Sequence, residues 1–433
     1  MEQIAKISRS ERLSQVLASR KELLYVISIL GITFISFWPT FFNDFQMQWD
    51  DQWQVTNSYT TNGLGMAELR TSFIKGISEQ YDPLNQLMYS LLWHIDGYNP
   101  ILFHAACLLL HLANVCCVYY ILRTILKDCT SLETGRIRWM VYITTIIFAI
   151  HPLQVESVAW ISASKIVLST LFYLLAGIML IRFLKMGGTW NYIFSILFVL
   201  FSYFSKEAAV TFPLWATLLC LWYGHSPRKF DFWKILVPLY VIALFLGLHI
   251  IFVVTSYDQY VQGDTYMWWQ RIVFSFYSLA TYLFKWFVPI NLSWMYQYPA
   301  NMGEALPAWL LPYPLLVCIL VYALWEWIRK PFFASAIVFL LIHLLFVLHI
   351  LVLPRDAVIA DRYMYLPMLG LNVILAYLLT SHIVGRNYKK IVTVLFVLLI
   401  LLCTILSYQR TKEWKDSATL KNEEVIDNIN SNN

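Results

Sequence analysis

Charged residues are scarce in this sequence. Asp, Glu, Lys and Arg make up 13% of its 433 residues, whereas hydrophobic residues make up 59%. A chain with so little charge cannot present the polar surface of an ordinary soluble protein. The composition therefore predicts an integral membrane protein in a lipid bilayer, and we expect no nucleic-acid partner.

Cysteine is sparse as well, with seven residues in the chain. On the topology given below, all seven lie in membrane spans or in the cytoplasmic loop that contains Cys129. No extracytoplasmic disulfide framework is therefore expected, and the chemistry has to be sought in other residue types.

The hydrophobic runs have the length of membrane helices. Most are about 18 to 25 residues long, which is enough to cross roughly 30 Å of hydrocarbon at about 1.5 Å per residue. They predict an all-α polytopic membrane protein with eleven spans, near residues 23–42, 101–126, 139–150, 166–184, 191–203, 210–223, 235–254, 309–327, 332–353, 367–384 and 390–407. With the N-terminus inside, the cytoplasmic loops hold most of the Lys and Arg, as the positive-inside rule requires.

Residues 271–290 do not fit this alternation of spans. They have a helical pattern rich in aromatic residues, and Pro289 ends it. We interpret the segment as an interfacial or re-entrant helix that includes Lys285. If it crosses the membrane instead, the topology after it is reversed.

The first outer loop, residues 43–100, is too long for a simple connection. Asp50 and Asp51 lie near its start, between Trp49 and Trp53. An adjacent acid pair in a loop is often a solvated turn or a helix cap. Here the aromatic neighbours, which lower the local dielectric and stack on sugars, favour a catalytic pair.

The next outer segment begins at His151 and continues through Glu156 to Lys165. His151 is interpreted either as the capped end of a helix or as a substrate contact. Glu156 has apolar neighbours, so its carboxylate must be paired or face water. We therefore include Glu156 among the candidate catalytic residues.

Lys206 and Glu207 lie between two apolar runs, where charges are costly unless they are paired or hydrated. Lys206 either forms a structural pair with Glu156, Glu207 or an acid of the first loop, or contacts a phosphate. Lys206 and Glu207 are both candidate substrate-binding residues. Further along, Arg362 offers a planar fork suited to phosphate, and Tyr363 and Tyr365 can pack a sugar or an isoprenoid. The alternative for Arg362 is an interface residue that extends to water.

Several short motifs occur in order along the chain. They are the acid pair, Tyr81 to Leu84, His104 and His111, His151 to Trp160, Ser205 to Glu207, Pro289 to Pro299, and Ala360 to Pro367. In this order they resemble a known family, the transmembrane and tetratricopeptide-repeat O-mannosyltransferases and their bacterial relatives. Together they extend over nearly the whole chain.

The resemblance implies a polytopic GT-C glycosyltransferase, which uses a polyprenyl-phosphate-linked sugar on the outer or lumenal side of the membrane. It also implies that Asp50 or Asp51 is catalytic. Relatives usually continue after the stretch matching Arg410, Trp414 and Asp416 into helical repeats that handle acceptors, whereas this sequence ends at Asn433. The expected domains are a transferase domain, residues 1–408, and a short extracytoplasmic tail, residues 409–433.

The expected reaction is a single displacement at the anomeric carbon, with a hydroxyl of a protein or glycan as the acceptor. Asp50 is the preferred base, and Lys165, Lys206, Lys285 and Arg362 are candidates for the lipid phosphate. No metal site is predicted, although Asp51 and Glu156 could hold a divalent cation. The location expected is a bacterial inner membrane with a periplasmic site, or the endoplasmic reticulum membrane of a eukaryote.

The rival hypothesis is a transporter or flippase for a lipid-linked sugar. Such proteins often have internal repeats, and no convincing repeat is found here. A scaffold without catalytic activity is a third alternative.

Overall fold

The computed structural model describes residues 9–75, 80–256, 266–350, 357–383 and 389–421. Within these ranges every named element is a helix, and one isolated antiparallel bridge joins Tyr296 and Ile359. The predicted all-α class is confirmed. Parts of the predicted first loop, of the 332–353 span and its following connection, and of the tail lie outside the described residues.

The described α-helices are numbered here in chain order. They are α1 (Arg9–Phe37), α2 (Asp51–Gln54), α3 (Ser58–Asn62), α4 (Met66–Lys75), α5 (Pro83–Asp96), α6 (Pro100–Cys129), α7 (Thr134–Ile150), α8 (Val155–Ala159), α9 (Ser164–Met186), α10 (Thr189–Ser205), α11 (Phe212–Trp222), α12 (Phe230–Ser256), α13 (Trp268–Phe287), α14 (Tyr313–Ala323), α15 (Trp325–Ile328), α16 (Pro331–Leu344), α17 (Met368–Ile383) and α18 (Lys389–Glu413). Short 3₁₀ helices occupy Trp38–Phe42, Pro152–Gln154, Ile161–Ala163, Glu207–Thr211, Ala308–Leu310 and Asp361–Met364.

Five helical segments of the described chain are long and apolar enough to cross a membrane, and a sixth is possible if α7 and α8, bent by 53°, count as one span. The five are Arg20–Phe42, Pro100–Cys129, Ile161–Met186, Phe230–Val253 and Lys390–Glu413. The other predicted spans coincide with shorter apolar helices, namely Thr189–Ser205, Glu207–Trp222, Ala308–Ala323, Pro331–Leu344 and Met368–Ser381. The chain is thus a polytopic membrane protein, and the count of eleven crossings stays a prediction.

Small residues bring the central helices close together, as is common where helices pack in lipid. Ser169 of α9 and Ser202 of α10 exchange hydrogen bonds, each hydroxyl donating to the other residue's carbonyl, at 2.9 and 2.8 Å. Gly177 of α9 lies against the indole of Trp215, where a Cβ would come within 2.2 Å of the ring. This close packing holds α9 firmly, and the first turn of α9 carries Lys165.

Helix α13 has a buried face and an exposed face. Its buried residues recur every three or four positions, and they are Gln270, Val273, Phe274, Ser278, Tyr282 and Trp286. A helix is present where the interfacial or re-entrant helix was predicted, and it begins at Trp268 and ends at Phe287, slightly before the predicted limits. Its depth in the membrane stays a prediction.

The first loop is held against the C-terminal end of the chain. The Asn43 amide donates to the Thr411 carbonyl at 3.0 Å, and the Gln46 amide donates to the Trp414 carbonyl at 2.8 Å. The Asp44 backbone N–H donates to the Lys415 carbonyl at 2.7 Å. The end of α18 therefore fixes the segment that leads into the acid pair.

Candidate active site

Asp51 is the first residue of α2, and its side chain is fully buried. One carboxylate oxygen accepts the Gln46 backbone N–H at 2.7 Å. The other accepts the Ser162 backbone N–H at 3.0 Å and also the Ser162 hydroxyl. Burial raises the pKa of Asp51 to about 6, although these hydrogen bonds lower it. Asp51 thus joins the first loop to the segment before α9, and its oxygens are occupied by protein donors.

Asp50 has a different environment, because its side chain is only partly buried. The Gln54 side-chain NH₂ donates to the Asp50 carboxylate at 3.4 Å, and the Gln54 side-chain amide oxygen accepts from the Lys165 ammonium at 3.0 Å. The charge of Asp50 lies close enough to Lys165 and to Arg362 to affect both electrostatically. Of the two acids, Asp50 is the one whose exposure permits contact with a substrate.

Arg362 and Glu156 form a two-point contact. The Arg362 backbone N–H donates to one oxygen of Glu156 at 2.7 Å, and its guanidinium donates to the other. The Glu156 side chain is 1% exposed, so the pair lies in a region of low dielectric. The guanidinium carbon also lies 5.3 Å from the ring centre of Trp160 and 5.0 Å from that of Tyr363. The predicted candidates Glu156, Arg362 and Tyr363 therefore meet at one place.

Asp361 lies beside this pair and was not among the residues predicted for the site. Its carboxylate is buried and accepts the Tyr296 hydroxyl at 2.8 Å. Burial, followed by the nearby charge of Glu156, raises the pKa of Asp361 to about 7, while the charge of Arg410 opposes the rise. In the sequence Asp361 stands next to Arg362 in the segment Ala360 to Pro367, but nothing there distinguished it from a solvated acid.

Lys165, Lys206 and Glu207 form a second group. Lys206 lies 3.3 Å from the carboxylate of Glu207, which agrees with the interpretation of a structural pair. Lys165 donates to the amide oxygens of Gln54 and Gln80, and among the described residues it has no carboxylate within ion-pair distance. Asp82, a further residue missed from the sequence, is electrostatically coupled to both lysines. The Gln54 side chain links Asp50 to this group, because it donates to Asp50 and accepts from Lys165.

Three of the predicted substrate contacts form hydrogen bonds within the protein, and their role towards a substrate stays a prediction. His151 donates to the Trp286 carbonyl at 3.0 Å and accepts the Leu153 backbone N–H at 3.2 Å, as a helix cap does. The Tyr365 hydroxyl is buried between His111, at 2.7 Å, and Asn114, at 3.0 Å. Lys285 donates to the carbonyls of Ile290 and Asn291 at 2.9 and 2.6 Å, just after α13.

Four tryptophans form a continuous row beside the acid pair. Trp294 lies 4.6 Å from Trp49, Trp49 lies 6.1 Å from Trp160, and Trp160 is stacked on Trp414 at 5.7 Å, all measured between ring centres. Trp49 and Trp294 are partly exposed, whereas Trp160 and Trp414 are buried. The sequence indicated Trp49 and Trp160 as aromatic neighbours of the acids, but it did not connect Trp294 and Trp414 with them. This arrangement is called the tryptophan row below.

Asp51 and Glu156 do not form a ready-made metal site. Asp51 is occupied by Gln46 and Ser162, and Glu156 by Arg362. In the part of the chain that the structure describes, no group of three or more His, Cys, Asp or Glu residues is arranged to hold an ion.

The fold and this cluster define a class, namely an all-α polytopic membrane protein with a buried acidic, basic and aromatic centre. Comparison with curated proteins adds a family resemblance. The chain is 32% identical to protein O-mannosyl-transferase TMTC1 of Homo sapiens over 180 residues, which cover 37% of this chain and 19% of that protein. It is 30% identical to the Mus musculus protein of the same name over 148 residues, or 32% of this chain and 15% of that protein.

These matches confirm the resemblance to O-mannosyltransferases with transmembrane and tetratricopeptide-repeat regions over about a third of the chain. The chain covers less than a fifth of the length of either relative. No family model matches it.

Proposed function

We propose that the protein is a membrane glycosyltransferase that moves a sugar from a polyprenyl-phosphate-linked donor to a hydroxyl acceptor on the extracytoplasmic face. The relatives are named as protein O-mannosyl-transferases, so mannose and protein Ser or Thr are the first donor sugar and acceptor to test. The observation that carries the proposal is the placement of Asp50, a partly buried carboxylate within electrostatic range of both Lys165 and Arg362.

In the proposed step, the acceptor oxygen forms a bond to the anomeric carbon as the bond from that carbon to the phosphate oxygen breaks. The electron pair leaves with the phosphate, and Asp50 takes the hydroxyl proton. Inversion follows from a single displacement. Because a neutral hydroxyl is a poor nucleophile, a positioned base is worth roughly 10²–10⁴-fold in rate.

The other residues have supporting roles in this proposal. Asp51 holds α2 in place through Gln46 and Ser162, which sets the position of Asp50. Glu156 orients Arg362 by binding both its backbone and its guanidinium. Arg362, with Lys165 and Lys206 as further candidates, offsets the negative charge that develops on the departing phosphate.

The test is transfer by the purified full chain, reconstituted in lipid with polyprenyl-phosphate mannose and a Ser/Thr-rich peptide. Asp50→Asn should lower the rate by at least about a hundredfold while the protein stays folded. Gln52→Ala is the matched control, because Gln52 is an exposed residue of α2, which Asp50 directly precedes. Normal transfer by Asp50→Asn would refute the role of this carboxylate. Movement of the intact donor across the vesicle membrane without transfer would favour the flippase alternative.

A further inference from the structure

The tryptophan row contains hydrogen-bond donors without acceptors. The indole nitrogens of Trp49, Trp160, Trp294 and Trp414 are all covered, and none has a hydrogen-bond acceptor within the described residues. Buried indole N–H groups usually have a partner, because leaving a polar group unpaired away from water is unfavourable. Four such donors in one continuous row are therefore a specific feature of this molecule.

Arg410 adds a fifth donor of the same kind. One of its terminal nitrogens is bound to Glu413, whereas the other is buried and has no acceptor among the described residues. Its guanidinium carbon lies 6.0 Å from the ring centre of Trp414, at the buried end of the row. Arg362 lies over Trp160 in the middle of the row. The row thus combines unpaired donors with two permanently cationic side chains.

We propose that the tryptophan row binds the phosphate and the adjoining sugar of the lipid-linked donor. This inference rests on the proposed function and places the head group on the Arg362 side of Asp50, not on the side of Lys206. A phosphate diester has only acceptor oxygens on its charged part, which matches a set of groups that can only donate. Indole faces also suit the apolar face of a sugar ring.

The gradient of burial gives the direction of entry. Trp49 and Trp294 are partly exposed and form the open end of the row, whereas Trp414 is fully buried at the other end. Trp49 directly precedes Asp50 in the chain. The head group therefore enters past Trp294 and Trp49, and its anomeric carbon comes to lie beside the carboxylate that serves as base.

The test measures retention of radiolabelled farnesyl phosphate by the full chain, with farnesol and inorganic phosphate as competitors. Trp49→Phe and Trp414→Phe each remove an indole N–H while keeping an aromatic ring, so each should weaken retention about tenfold. Trp222→Phe is the matched control, because the Trp222 N–H already donates to the Ser335 hydroxyl at 2.9 Å. Trp49 is partly exposed, which keeps the test valid if Trp414→Phe does not fold.

The competitors separate the possible sources of binding. Farnesyl phosphate should displace the label at a concentration at which neither farnesol nor inorganic phosphate does, because the site requires the charge and the chain on one molecule. Equal retention by Trp49→Phe and Trp222→Phe would overturn the proposal. So would displacement by farnesol alone, or a loss of retention caused by Lys206→Gln but not by the tryptophan changes.

Failure of the proposed function gives a different result. If the tryptophan variants lose retention but the wild type transfers no sugar, the tryptophan row is a phosphate-lipid site and the transferase assignment falls. If the wild type transfers sugar and the tryptophan variants retain farnesyl phosphate normally, the transferase assignment stands and the tryptophan row is excluded as its donor site.

Discussion

The carboxylate of Glu156 binds both the backbone N–H and the guanidinium of Arg362, which is 206 residues further along the chain. Breaking a buried ion pair by neutralising one partner leaves the other charge without compensation. We expect Glu156→Gln to lower the free energy of unfolding by about 3 kcal/mol, near the low end for such pairs. Unfolding in a mild detergent measures this loss.

A matched comparison is available in the Lys234–Asp231 pair, whose side chains are 60% and 75% exposed. Lys234→Gln should cost less than about 1 kcal/mol, as exposed pairs usually do. Equal losses for Glu156→Gln and Lys234→Gln would contradict the view that burial makes the first pair important.

Asp51→Asn should act mainly through stability. The new amide group would place an N–H opposite the N–H of Gln46 or of Ser162, since one oxygen of Asp51 accepts from each of them. We expect a loss of about 1–3 kcal/mol, the cost of leaving a buried donor unpaired. Thermal unfolding measures it, with Asp50→Asn as the control that should unfold like the wild type. An Asp51→Asn protein of normal stability and greatly reduced transfer would assign Asp51 a direct chemical role instead.

Arg362→Lys keeps the positive charge but loses the planar fork that binds Glu156 at two points and that suits phosphate. We expect use of the lipid-linked donor to fall, and Arg362→Ala to be worse. The measurement is turnover at varied donor concentration, compared with unfolding temperature. A loss of stability with unchanged donor dependence would show that Arg362 serves only as the partner of Glu156.

Stability should depend on pH through Asp361. The pKa of this carboxyl is about 7 in the folded protein, against 3.8 for the ordinary side chain. Between these two pH values the folded state therefore binds more protons than the unfolded state. The stability that Asp361 contributes is fully present below pH 3.8 and is lost as the pH rises through 7. Burial and Glu156 raise this pKa, whereas Arg410, Lys285 and the Tyr296 hydroxyl oppose the rise.

We expect the unfolding temperature to fall further between pH 5 and pH 8 in the wild type than in Asp361→Asn. Tyr296→Phe removes the hydrogen bond to Asp361 without removing the titrating group, so it should keep the pH dependence. The same slope in the wild type and in Asp361→Asn would show that another group is responsible.

The sidedness of the site can be tested by labelling single cysteines in a background without the native ones. Gln52 on α2 and Lys229 before α12 are both exposed, and the predicted topology puts them on opposite sides of the membrane. A reagent that cannot cross the membrane should label Gln52→Cys but not Lys229→Cys in intact cells. Labelling of both, or of Lys229→Cys alone, would require a different arrangement of the spans.

Much of the helical architecture could be predicted from the sequence, because run length and composition are local properties. The amphipathic pattern of 271–290, for example, is visible without any tertiary information, and α13 has it. The lengths of the shorter apolar helices were less predictable. Helix α16, for example, ends at Leu344, nine residues before the end of the predicted 332–353 span.

The site was only partly predictable, because it depends on contacts between residues far apart in the sequence. Residue types near membrane exits identified Glu156 and Arg362, but their pairing depends on contacts across more than two hundred residues. Tyr363 and Tyr365 looked equivalent in the sequence. In the structure Tyr363 lies under Arg362, whereas Tyr365 turns into the core towards His111. Asp361 and Arg410 were overlooked because a buried network cannot be told from solvated charges by spacing alone.

The hydrogen bonds between the first loop and the end of α18 affect the order in which the protein can be completed. Asn43 and Gln46 are synthesised early, but their partners Thr411 and Trp414 are each 368 residues later. The segment that leads into the acid pair therefore cannot form these bonds until α18 has been synthesised. A chain interrupted before α18 would lack the carbonyls of Thr411 and Trp414, so the segment before Asp50 and Asp51 would miss these tertiary hydrogen bonds.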